Sequence, residues 1–372
     1  MTVDTASTSS TFSAANAVIE PAKTRLQFEV PTDLPPNHPT DHIVEVDYDS
    51  TTGWSTPHIH QYRAFQMDPS CMVLHYAVTC FEGMKAYRSR DGKLVRMFRP
   101  YDNMRRLNDS ADRLCLPRVD VDEAVKLLEM FLKLDERFIM PGHYIYMRPL
   151  LMGTDNTVGI KTPSKAKFVI MATMFPPMNK DPLKLYCSSP DTARAWPGGF
   201  GYAKLGANYG PTLLANREAV SQGYNQVLWL LGEKGLVTEA GASNFFVVMK
   251  NKEGRTEILT CPLSTGVILP GVTRRSVLEL LRDGVSDEAD VIEREFTIGE
   301  IEEAVEENRI VEAFSVGTAY FVAPVQTIRT SAGKDLTIPV DGKYAAYAKS
   351  KLSDIMWGEG EHPWAHKVPV DN

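Results

Sequence analysis

The chain is divided by the stretch Pro176-Pro177-Met178-Asn179-Lys180-Asp181-Pro182, which holds three prolines in seven positions. Proline fixes its own backbone and cannot continue a helix or a central strand, so such a stretch is typical of a short, stiff linker. A chain of 372 residues is long enough for about two to three domains. We therefore expect a disordered tail over residues 1–28, a small N-terminal domain over 29–176, a linker over 177–184 and a large C-terminal domain over 185–372.

Strand and helix patterns follow one another irregularly on both sides of this stretch. Before it, alternating apolar residues predict strands at 42–48, 72–78, 144–151 and 167–173, and the Asp91-Gly92 turn signal predicts a hairpin over 84–98. Helices are predicted at 101–114 and 121–138. Asp120 is expected to cap the second helix. After it, the predicted strands are 226–231, 244–249, 291–296, 310–313 and 320–322, and the predicted helices are 212–222, 272–282, 301–306 and 344–357. Because no strand–helix–strand unit repeats, the sequence predicts an α+β protein with two mixed domains.

The composition argues against several kinds of partner. The formal net charge is -7, which disfavours a surface built to bind nucleic acid or an anionic membrane. The most apolar run, 168–178, is broken by Pro176 and Pro177 and is too short to span a membrane. The closest pair of histidines, His58 and His60, lacks clustered further ligands, so we expect no metal site. Small molecules are the expected partners, with no nucleic acid and no membrane.

The cysteines and the N-terminal region bear on the compartment. The chain has five cysteines, and none of them forms a C-x-x-C pair, which is typical of reduced thiols in a cytoplasmic protein. The N-terminal region is rich in Ser and Thr, but no Arg or Lys precedes Lys23. We expect a cytoplasmic protein, and a mitochondrial location stays open although no convincing transit peptide is present.

The segment 198–210 places five glycines and two tyrosines around Lys204. A P-loop would need Ser or Thr after its lysine, whereas Leu205 follows Lys204, and no strand–G-x-G-x-x-G–helix unit is present. The glycines bend the backbone and leave room for a planar group near the lysine. An enclosed lysine loses hydration, so its pKa falls toward that of a nucleophile. A glycine-rich surface loop with an exposed lysine is the alternative that this segment alone leaves open.

Further segments carry groups suited to an anion or a cation. The stretch 269–275 runs into a helical apolar period, so its backbone N–H groups and the Thr273 hydroxyl would form an anion site or a plain helix cap. The turn 315–319 aims backbone N–H groups in a similar way. Arg99 ends a strand where a helix begins, which suits a bidentate phosphate contact or a surface salt bridge. Glu239 is either a solvated loop charge or the partner of a buried cation.

An enclosed lysine, a phosphate site, a carboxylate and a nearby tyrosine form the set that a phosphorylated aldehyde cofactor bound as a Schiff base requires. The chain resembles the branched-chain amino acid aminotransferases of the fold-type IV class, which use pyridoxal 5′-phosphate. Besides the Lys204 segment, the matching stretches are His75-Tyr76-Ala77-Val78, Phe81-Glu82-Gly83-Met84-Lys85-Ala86-Tyr87, Phe98-Arg99-Pro100, Tyr146-Met147-Arg148-Pro149, Thr238-Glu239-Ala240-Gly241, Leu269-Pro270-Gly271-Val272-Thr273-Arg274 and Gly317-Thr318-Ala319. The resemblance implies a D-amino acid aminotransferase-like fold, with the cofactor in the interdomain cleft, and a homodimer.

The resemblance also implies a role for individual residues. Lys204 would hold the cofactor as a Schiff base and move the proton at the substrate Cα. Glu239 would keep the pyridine nitrogen protonated, and Tyr209 would hydrogen-bond the ring oxygen. The residues implied to hold the phosphate are Arg99, Val272, Thr273 and Thr318. The backbone N–H groups of Thr318 and Ala319 would also lie beside the substrate carboxylate.

The implied pocket for the substrate side chain is apolar with one charge. The residues implied to form its walls are Tyr76, Phe81, Tyr146 and Ile160. Arg148 would accept the distal carboxylate when glutamate or 2-oxoglutarate occupies the pocket. Tyr146 and Arg148 lie two positions apart on a predicted strand and share a face, which favours a common site. The implied reaction moves the α-amino group between L-leucine, L-isoleucine or L-valine and 2-oxoglutarate.

The chain departs from the family pattern at two places. The stretch 320–323 lacks the C-x-x-C redox pair of many larger members, so we expect no thiol switch there. Ala242 stands where threonine or glycine is common, and the lost hydroxyl bears on substrate specificity. A fold-type IV transaminase that acts on a different amine in a specialised pathway therefore stays an alternative. A non-enzymatic binding protein on the same fold is a further one.

Overall fold

The computed structural model describes residues 12–29, 37–174, 181–319, 321–358 and 360–370. The chain forms two compact units: Met1–Pro177, Ala203–Ala207 and Ile355–Asn372 belong to the first, and Met178–Tyr202 and Asn208–Asp354 belong to the second. Residues 177–180 of the predicted linker lie outside the described residues, and its last two residues, Leu183 and Lys184, begin a strand (Leu183–Cys187). The predicted division assigns everything after residue 184 to the C-terminal domain, and two segments correct it. Residues 203–207 and 355–372 belong to the first unit because their backbones hydrogen-bond to its strands.

The first unit is built on a largely antiparallel sheet. Its strands are β1 (Val18–Ile19), β2 (His42–Asp49), β3 (Gly53–Trp54), β4 (His58–Gln61), β5 (Thr79–Phe81), β6 (Met84–Arg88), β7 (Val95–Phe98), β8 (Tyr144–Gly153), β9 (Lys165–Thr173) and β19 (Ala365–Val368). Its helices are α1 (Met72–Tyr76), α2 (Pro100–Arg113) and α3 (Val121–Leu134). The strand order is β1-β4-β2-β9-β8-β6-β7-β19, with β3 beside β2 and β5 beside β8.

Local sequence sets the ends of α2 and α3. Pro100 occupies the first turn of α2, where its missing N–H group is not needed. At the start of α3, the Asp120 carboxylate accepts the backbone N–H of Glu123 at 3.0 Å, so the predicted cap is confirmed. The helix ends at Leu134, short of the predicted residue 138, because a separate 3₁₀ turn follows at Glu136–Phe138.

The predicted strand at 72–78 is wrong, because Met72–Tyr76 forms the short helix α1. Ala77 ends the helix in the left-handed conformation at φ 50°, and its N–H donates to the Val73 carbonyl at 3.2 Å. A short apolar run does not distinguish a strand from a buried helical turn by its pattern alone.

The predicted disordered tail is also wrong over residues 12–28, whereas residues 1–11 lie outside the described chain. Phe12 is buried, and its ring centre lies 5.2 Å from that of Trp54 and 5.8 Å from that of Phe168. The backbone N–H of Ala22 donates to His42 Nε2 at 2.9 Å. Aromatic burial and main-chain pairing therefore order a segment whose composition alone predicts disorder.

The second unit is built on a mixed sheet. Its strands are β10 (Leu183–Cys187), β11 (Gln226–Leu231), β12 (Leu236–Ala240), β13 (Ser243–Lys250), β14 (Thr256–Thr260), β15 (Ala289–Glu293), β16 (Ile310–Gly317), β17 (Phe321–Arg329) and β18 (Asp335–Thr337). Its helices are α4 (Leu213–Ser221), α5 (Val272–Val285), α6 (Ile298–Glu306) and α7 (Lys343–Trp357), of which α7 ends in the first unit. The strand order is β12-β11-β10-β17-β16-β13-β14-β15, with β18 beside β17 and a further pairing of β12 with β13.

The core of the second unit lies between this sheet and the helices that cover it. Phe245 and Val247 of β13 are buried with Leu185 of β10, and Ile301 of α6 packs into the same cluster. A capping box begins α6, in which Thr297 and Glu300 exchange side-chain and backbone hydrogen bonds. This core holds the strands whose ends carry the predicted site residues of the unit.

The described residues contain neither a membrane-spanning helix nor a cluster of metal ligands. No helix among them is long and apolar enough to cross a membrane. Nor do they contain a group of three or more His, Cys, Asp or Glu side chains that could hold a metal ion. The five cysteines are free thiols.

Candidate active site

Lys204 lies in a short segment that the first unit holds by its backbone. The Phe81 N–H donates to the Lys204 carbonyl at 3.1 Å, and Leu205 forms an antiparallel bridge with Cys80 of β5. Gly206 is required here, because a Cβ at that position would lie 2.7 Å from the Thr79 methyl carbon. The segment therefore runs along β5, and Lys204 is half-buried rather than exposed on a free loop.

Phe81, Tyr146 and Arg148, which the family resemblance implies for one pocket, lie together in the first unit. The Arg148 guanidinium carbon lies 4.5 Å from the Phe81 ring centre, and its Nη2 donates to the Tyr146 hydroxyl at 3.2 Å. Lys204 Nζ lies 5.0 Å from the same Phe81 ring. An amine, a guanidinium and an aromatic wall are thus gathered around one phenyl ring.

One nitrogen of this cluster stands out. Arg148 Nε is buried, and no hydrogen-bond partner for it exists among the residues that the structure describes. A buried N–H donor of a charged group normally has a hydrogen-bond acceptor, so Arg148 Nε indicates a position where a bound acceptor group would fit.

The backbone of Gly83 passes so close to the Tyr146 ring that a Cβ there would lie 2.8 Å from the ring Cζ.

Tyr76 and Ile160, the other two predicted wall residues, are less enclosed. Tyr76 is the last residue of α1 and donates its hydroxyl proton to the Val158 carbonyl. Ile160 is 87% exposed, so in this chain it does not pack with Phe81 or Tyr146. The place of both residues in a substrate pocket stays a prediction.

Arg99 is buried at the junction of β7 and α2. Its backbone adopts the left-handed conformation (φ 46°, ψ 51°), which costs a non-glycine residue about 1–2 kcal/mol. The guanidinium carbon lies 3.9 Å from the Trp364 ring centre, and Nη1 contacts Asp102 Oδ2 at 3.4 Å. The alternative of a surface salt bridge is wrong because the side chain is buried. Strain of this kind is common where a side chain must be held for function.

In the second unit, Glu239 is the partner of a buried cation, one of the two alternatives that the sequence leaves open. Its Oε2 lies 2.6 Å from Arg194 Nη1, and the two side chains are 2% and 6% exposed. Its Oε1 accepts the Leu269 N–H at 3.1 Å and the Asn244 amide at 3.2 Å. Sequence reasoning missed Arg194 and Asn244. Asn244 pairs with Glu239 across β12 and β13, whereas no local signal marks Arg194.

Val272 and Thr273 are the first two residues of α5, and both are buried. The N-cap is Gly271, which has no side chain to accept the first-turn N–H groups. A Cβ at Gly271 would collide with the Asn244 side-chain oxygen. The helix therefore begins beside the residues that hold Glu239, with first-turn N–H groups suited to an anion.

Thr318 and Ala319 follow β16, and both are half-buried. Strand β13 pairs with β16, so Asn244 lies opposite Val316, and a Cβ at Gly317 would lie 2.7 Å from the Ser243 hydroxyl oxygen. The turn after β16 is therefore adjacent to the start of β13. Tyr209, also half-buried, lies elsewhere in this unit, and its carbonyl accepts the Thr212 N–H at 3.1 Å and the Thr212 hydroxyl at 2.6 Å.

Comparison with known proteins covers most of the chain. The family model described as amino-transferase class IV matches residues 79–328. The cytosolic branched-chain-amino-acid aminotransferase of Mus musculus is 40% identical over 96% of this chain and 94% of its own length. The mitochondrial branched-chain-amino-acid aminotransferase of Saccharomyces cerevisiae is 41% identical over 86% of this chain and 83% of its own.

A solved structure agrees in fold. The crystal structure of the T.th. branched-chain amino acid aminotransferase with pyridoxamine 5′-phosphate has a TM-score of 0.67 and 23% identity, over 87% of this chain and 98% of that one. The chain therefore belongs to the class IV aminotransferases and, within them, to the branched-chain-amino-acid aminotransferase family. The resemblance and the α+β fold predicted from the sequence are confirmed. The relatives include cytosolic and mitochondrial forms.

Proposed function

We propose that the chain moves the α-amino group between L-leucine, L-isoleucine or L-valine and 2-oxoglutarate, with pyridoxal 5′-phosphate as cofactor. The observation that carries the proposal is the cluster around Phe81. An apolar ring there lies within 5.0 Å of both the Lys204 amine and the Arg148 guanidinium. A pocket that accepts a branched aliphatic chain and then a dicarboxylate needs this combination of an apolar wall and one cation.

The residues present fit the cofactor. The first turn of α5 offers N–H groups that its Gly271 cap leaves for a phosphate, and Arg99 supplies a guanidinium suited to the same chemistry. We assign the phosphate to Arg99, Val272, Thr273 and Thr318, in the manner of the family. Glu239 is assigned to the pyridine nitrogen, and Tyr209 to the ring oxygen. The cofactor supplies, when bound, an aldehyde and an electron-withdrawing ring.

Lys204 is assigned two tasks on one atom. Its Nζ holds the cofactor at rest and then moves the proton at the substrate Cα. The backbone contacts of Lys204 with β5 fix the position of its Cα, and this restricts the region that Nζ can reach. The buried Glu239 carboxylate keeps a negative charge in the second unit, where it favours a protonated pyridine nitrogen.

Substrate selection is assigned to the Phe81 cluster and the turn after β16. Phe81, Tyr146 and Tyr76 face the aliphatic side chain, with Ile160 as the remaining wall residue implied by the family. The Nε of Arg148 is the donor for the distal carboxylate of glutamate or 2-oxoglutarate, because it is buried and lacks an acceptor in the described chain. The N–H groups of Thr318 and Ala319 bind the α-carboxylate.

The test is glutamate formation from L-leucine and 2-oxoglutarate by the purified holoenzyme. Lys204→Ala is expected to lower kcat by about 10³-fold or more, because the proton shuttle is lost. Lys184→Ala, which removes an exposed lysine of β10, serves as the matched control and should retain wild-type kcat. Normal turnover by Lys204→Ala would refute the assignment of the lysine.

A second variant separates the two half-reactions. Arg148→Met is expected to slow the reaction with L-glutamate by about 10²-fold, because a charged hydrogen bond to the distal carboxylate is lost, and to change the reaction with L-leucine by less than about tenfold. Equal losses in both half-reactions would contradict the role of Arg148. If no glutamate forms although the cofactor is bound to the wild-type enzyme, a different amine donor becomes the interpretation, and Ala242 is the first position to change.

We also propose a homodimer and a cytoplasmic location. The exposed Leu213, Leu214 and Val220 of α4 give the second unit an apolar surface suited to a partner. Sedimentation velocity should give twice the 41.5 kDa of one chain, and a single-chain mass would contradict the dimer. Fluorescence microscopy of the tagged chain should show a diffuse cytoplasmic signal. A mitochondrial pattern would contradict the proposed location and would match that of the mitochondrial relative from Saccharomyces cerevisiae.

A further inference from the structure

The backbone N–H of Lys204 is bound by a side chain of α2. It donates to the Ser110 hydroxyl oxygen at 2.9 Å, and this serine is fully buried. The serine hydroxyl in turn donates to the Arg106 carbonyl at 2.9 Å. Because a backbone N–H only donates and a carbonyl only accepts, the direction of both hydrogen bonds is fixed. The Ser110 hydroxyl therefore accepts a hydrogen bond from Lys204 and donates one to Arg106.

The other backbone group of Lys204 is bound by β5. Its carbonyl accepts the Phe81 N–H at 3.1 Å, while the Leu205 backbone bridges to Cys80. Both polar groups of the Lys204 backbone are thus held within the first unit, one by a strand and one by a helix. The serine is the only one of the two partners that acts through a side chain, so a point substitution can remove it.

The strand and the helix are themselves joined by a buried ion pair. Arg106 Nε and Nη2 donate to the two oxygens of Glu82 at 2.7 and 2.8 Å. Both side chains are buried, and a bidentate arginine–carboxylate pair is strongly directional. Glu82 follows Phe81, and Arg106 supplies the carbonyl that orients Ser110. One arginine therefore fixes the spacing of the two elements on either side of Lys204.

We infer that Ser110 is a positioning residue for Lys204, held in register by the Glu82–Arg106 pair. This inference rests on the role proposed above for Lys204. The lysine amine stands at the end of a flexible four-carbon stem, so a small rotation of its backbone produces a larger displacement of the amine. A displacement of about 1 Å at a reacting group costs about 10²-fold in rate. By binding the Lys204 backbone N–H, Ser110 restricts the backbone rotation that would displace the amine.

The test compares Ser110→Ala with Ser188→Ala in the holoenzyme. Ser188 is a matched control because it is buried and its hydroxyl also accepts a backbone N–H, that of Leu230 at 3.0 Å, in the second unit. Ser110→Ala is expected to lower kcat for L-leucine by about 10- to 100-fold while KM changes by less than about threefold. Ser188→Ala should leave both constants within about twofold of wild type.

Hydrogen exchange provides a readout that does not depend on turnover. In the peptide that contains Lys204, Ser110→Ala is expected to speed exchange of the Lys204 amide by about fivefold or more, because its acceptor is gone. Peptides of β13 should exchange as in the wild type. Ser110→Cys, which keeps the size but is a weak acceptor, should reproduce both effects and replaces Ser110→Ala if that variant does not fold.

The outcomes separate the inference from the proposed function. Wild-type kcat and wild-type Lys204 exchange in Ser110→Ala, with an inactive Lys204→Ala, would overturn the inference and leave the function standing. Faster exchange with unchanged kcat would likewise overturn the positioning role. An active Lys204→Ala would overturn the function, and the exchange result would then report a backbone anchor alone.

Discussion

The buried pair of Glu239 and Arg194 gives the sharpest prediction for stability. The two charged atoms lie 2.6 Å apart, and both side chains are almost entirely buried. Removing one partner of such a pair leaves an uncompensated buried charge and costs about 3–5 kcal/mol. In Glu239→Gln the amide oxygen still accepts the N–H of Leu269, so the loss comes from the charge. We expect the free energy of unfolding to fall by about 3 kcal/mol, the lower end of that range.

A double-mutant cycle measures the pair itself. Arg194→Met removes the cation, and the double variant with Glu239→Gln removes both charges. Replacing both partners of a buried pair is often close to neutral, so the double variant should be more stable than either single variant. The coupling energy is expected to be about 2 kcal/mol or more.

The assay is urea unfolding of the protein freed of cofactor, so that ligand binding does not add to stability. Asp290→Asn is the control, because its partner Arg255 lies 2.5 Å away in an ion pair that is about half exposed. That variant should change the unfolding midpoint little, since solvent screens the pair. The stabilising role of the Glu239–Arg194 pair would be refuted by either of two results. One is a Glu239→Gln variant with the same unfolding midpoint as the control, and the other is a coupling energy below about 0.5 kcal/mol.

Three further predictions concern the first unit. Gly83→Ala should lower kcat/KM for 2-oxoglutarate by about tenfold or more in steady-state assays. The new Cβ displaces the Tyr146 ring and breaks the hydrogen bond between the Tyr146 hydroxyl and Arg148. An unchanged kcat/KM would contradict this role of the glycine. Burial lowers the pKa of Lys85 to about 7, so the unfolded chain binds more protons from about pH 7 to pH 10. The free energy of unfolding should then rise by up to about 1.4 kcal/mol per pH unit in urea titrations, and Lys85→Met should remove that rise. Phe12→Ala should speed proteolytic cleavage within residues 12–28, because its aromatic contacts are lost; wild-type cleavage rates would show that the ring does not anchor the segment.

The parts of the fold that the sequence predicts correctly are those governed by local chemistry. The start of α5 at Val272 and the Asp120 cap of α3 follow from capping residues and helical periodicity. Strands β2 and β9 follow from alternation. The strand predicted at 310–313 lies in place but extends to Gly317, because pairing with β13 and β17 continues beyond the apolar run.

The parts that the sequence does not predict depend on contacts between distant segments. Arg194 has no motif around it, and only the folded chain brings it to Glu239, 45 positions further along. The inclusion of 203–207 in the first unit depends on Cys80 and Ser110, more than 90 residues away. In the same way, the exposure of Ile160 follows from its loop and not from its side-chain type.

Strand β19, which lies more than 260 residues after β7 in the chain, completes the sheet of the first unit. β19 pairs with β7 at Phe98, and the Arg99 N–H donates to the Trp364 carbonyl at 2.8 Å. Synthesis proceeds from the N-terminus, so β7 remains an open edge and Arg99 lacks its tryptophan until more than 260 further residues have been added. A prematurely terminated chain would carry an unpaired strand edge, which chaperones and proteases recognise. The pairing of β19 with β7 is therefore a late step of synthesis, and the surroundings of Arg99 are complete only after that step.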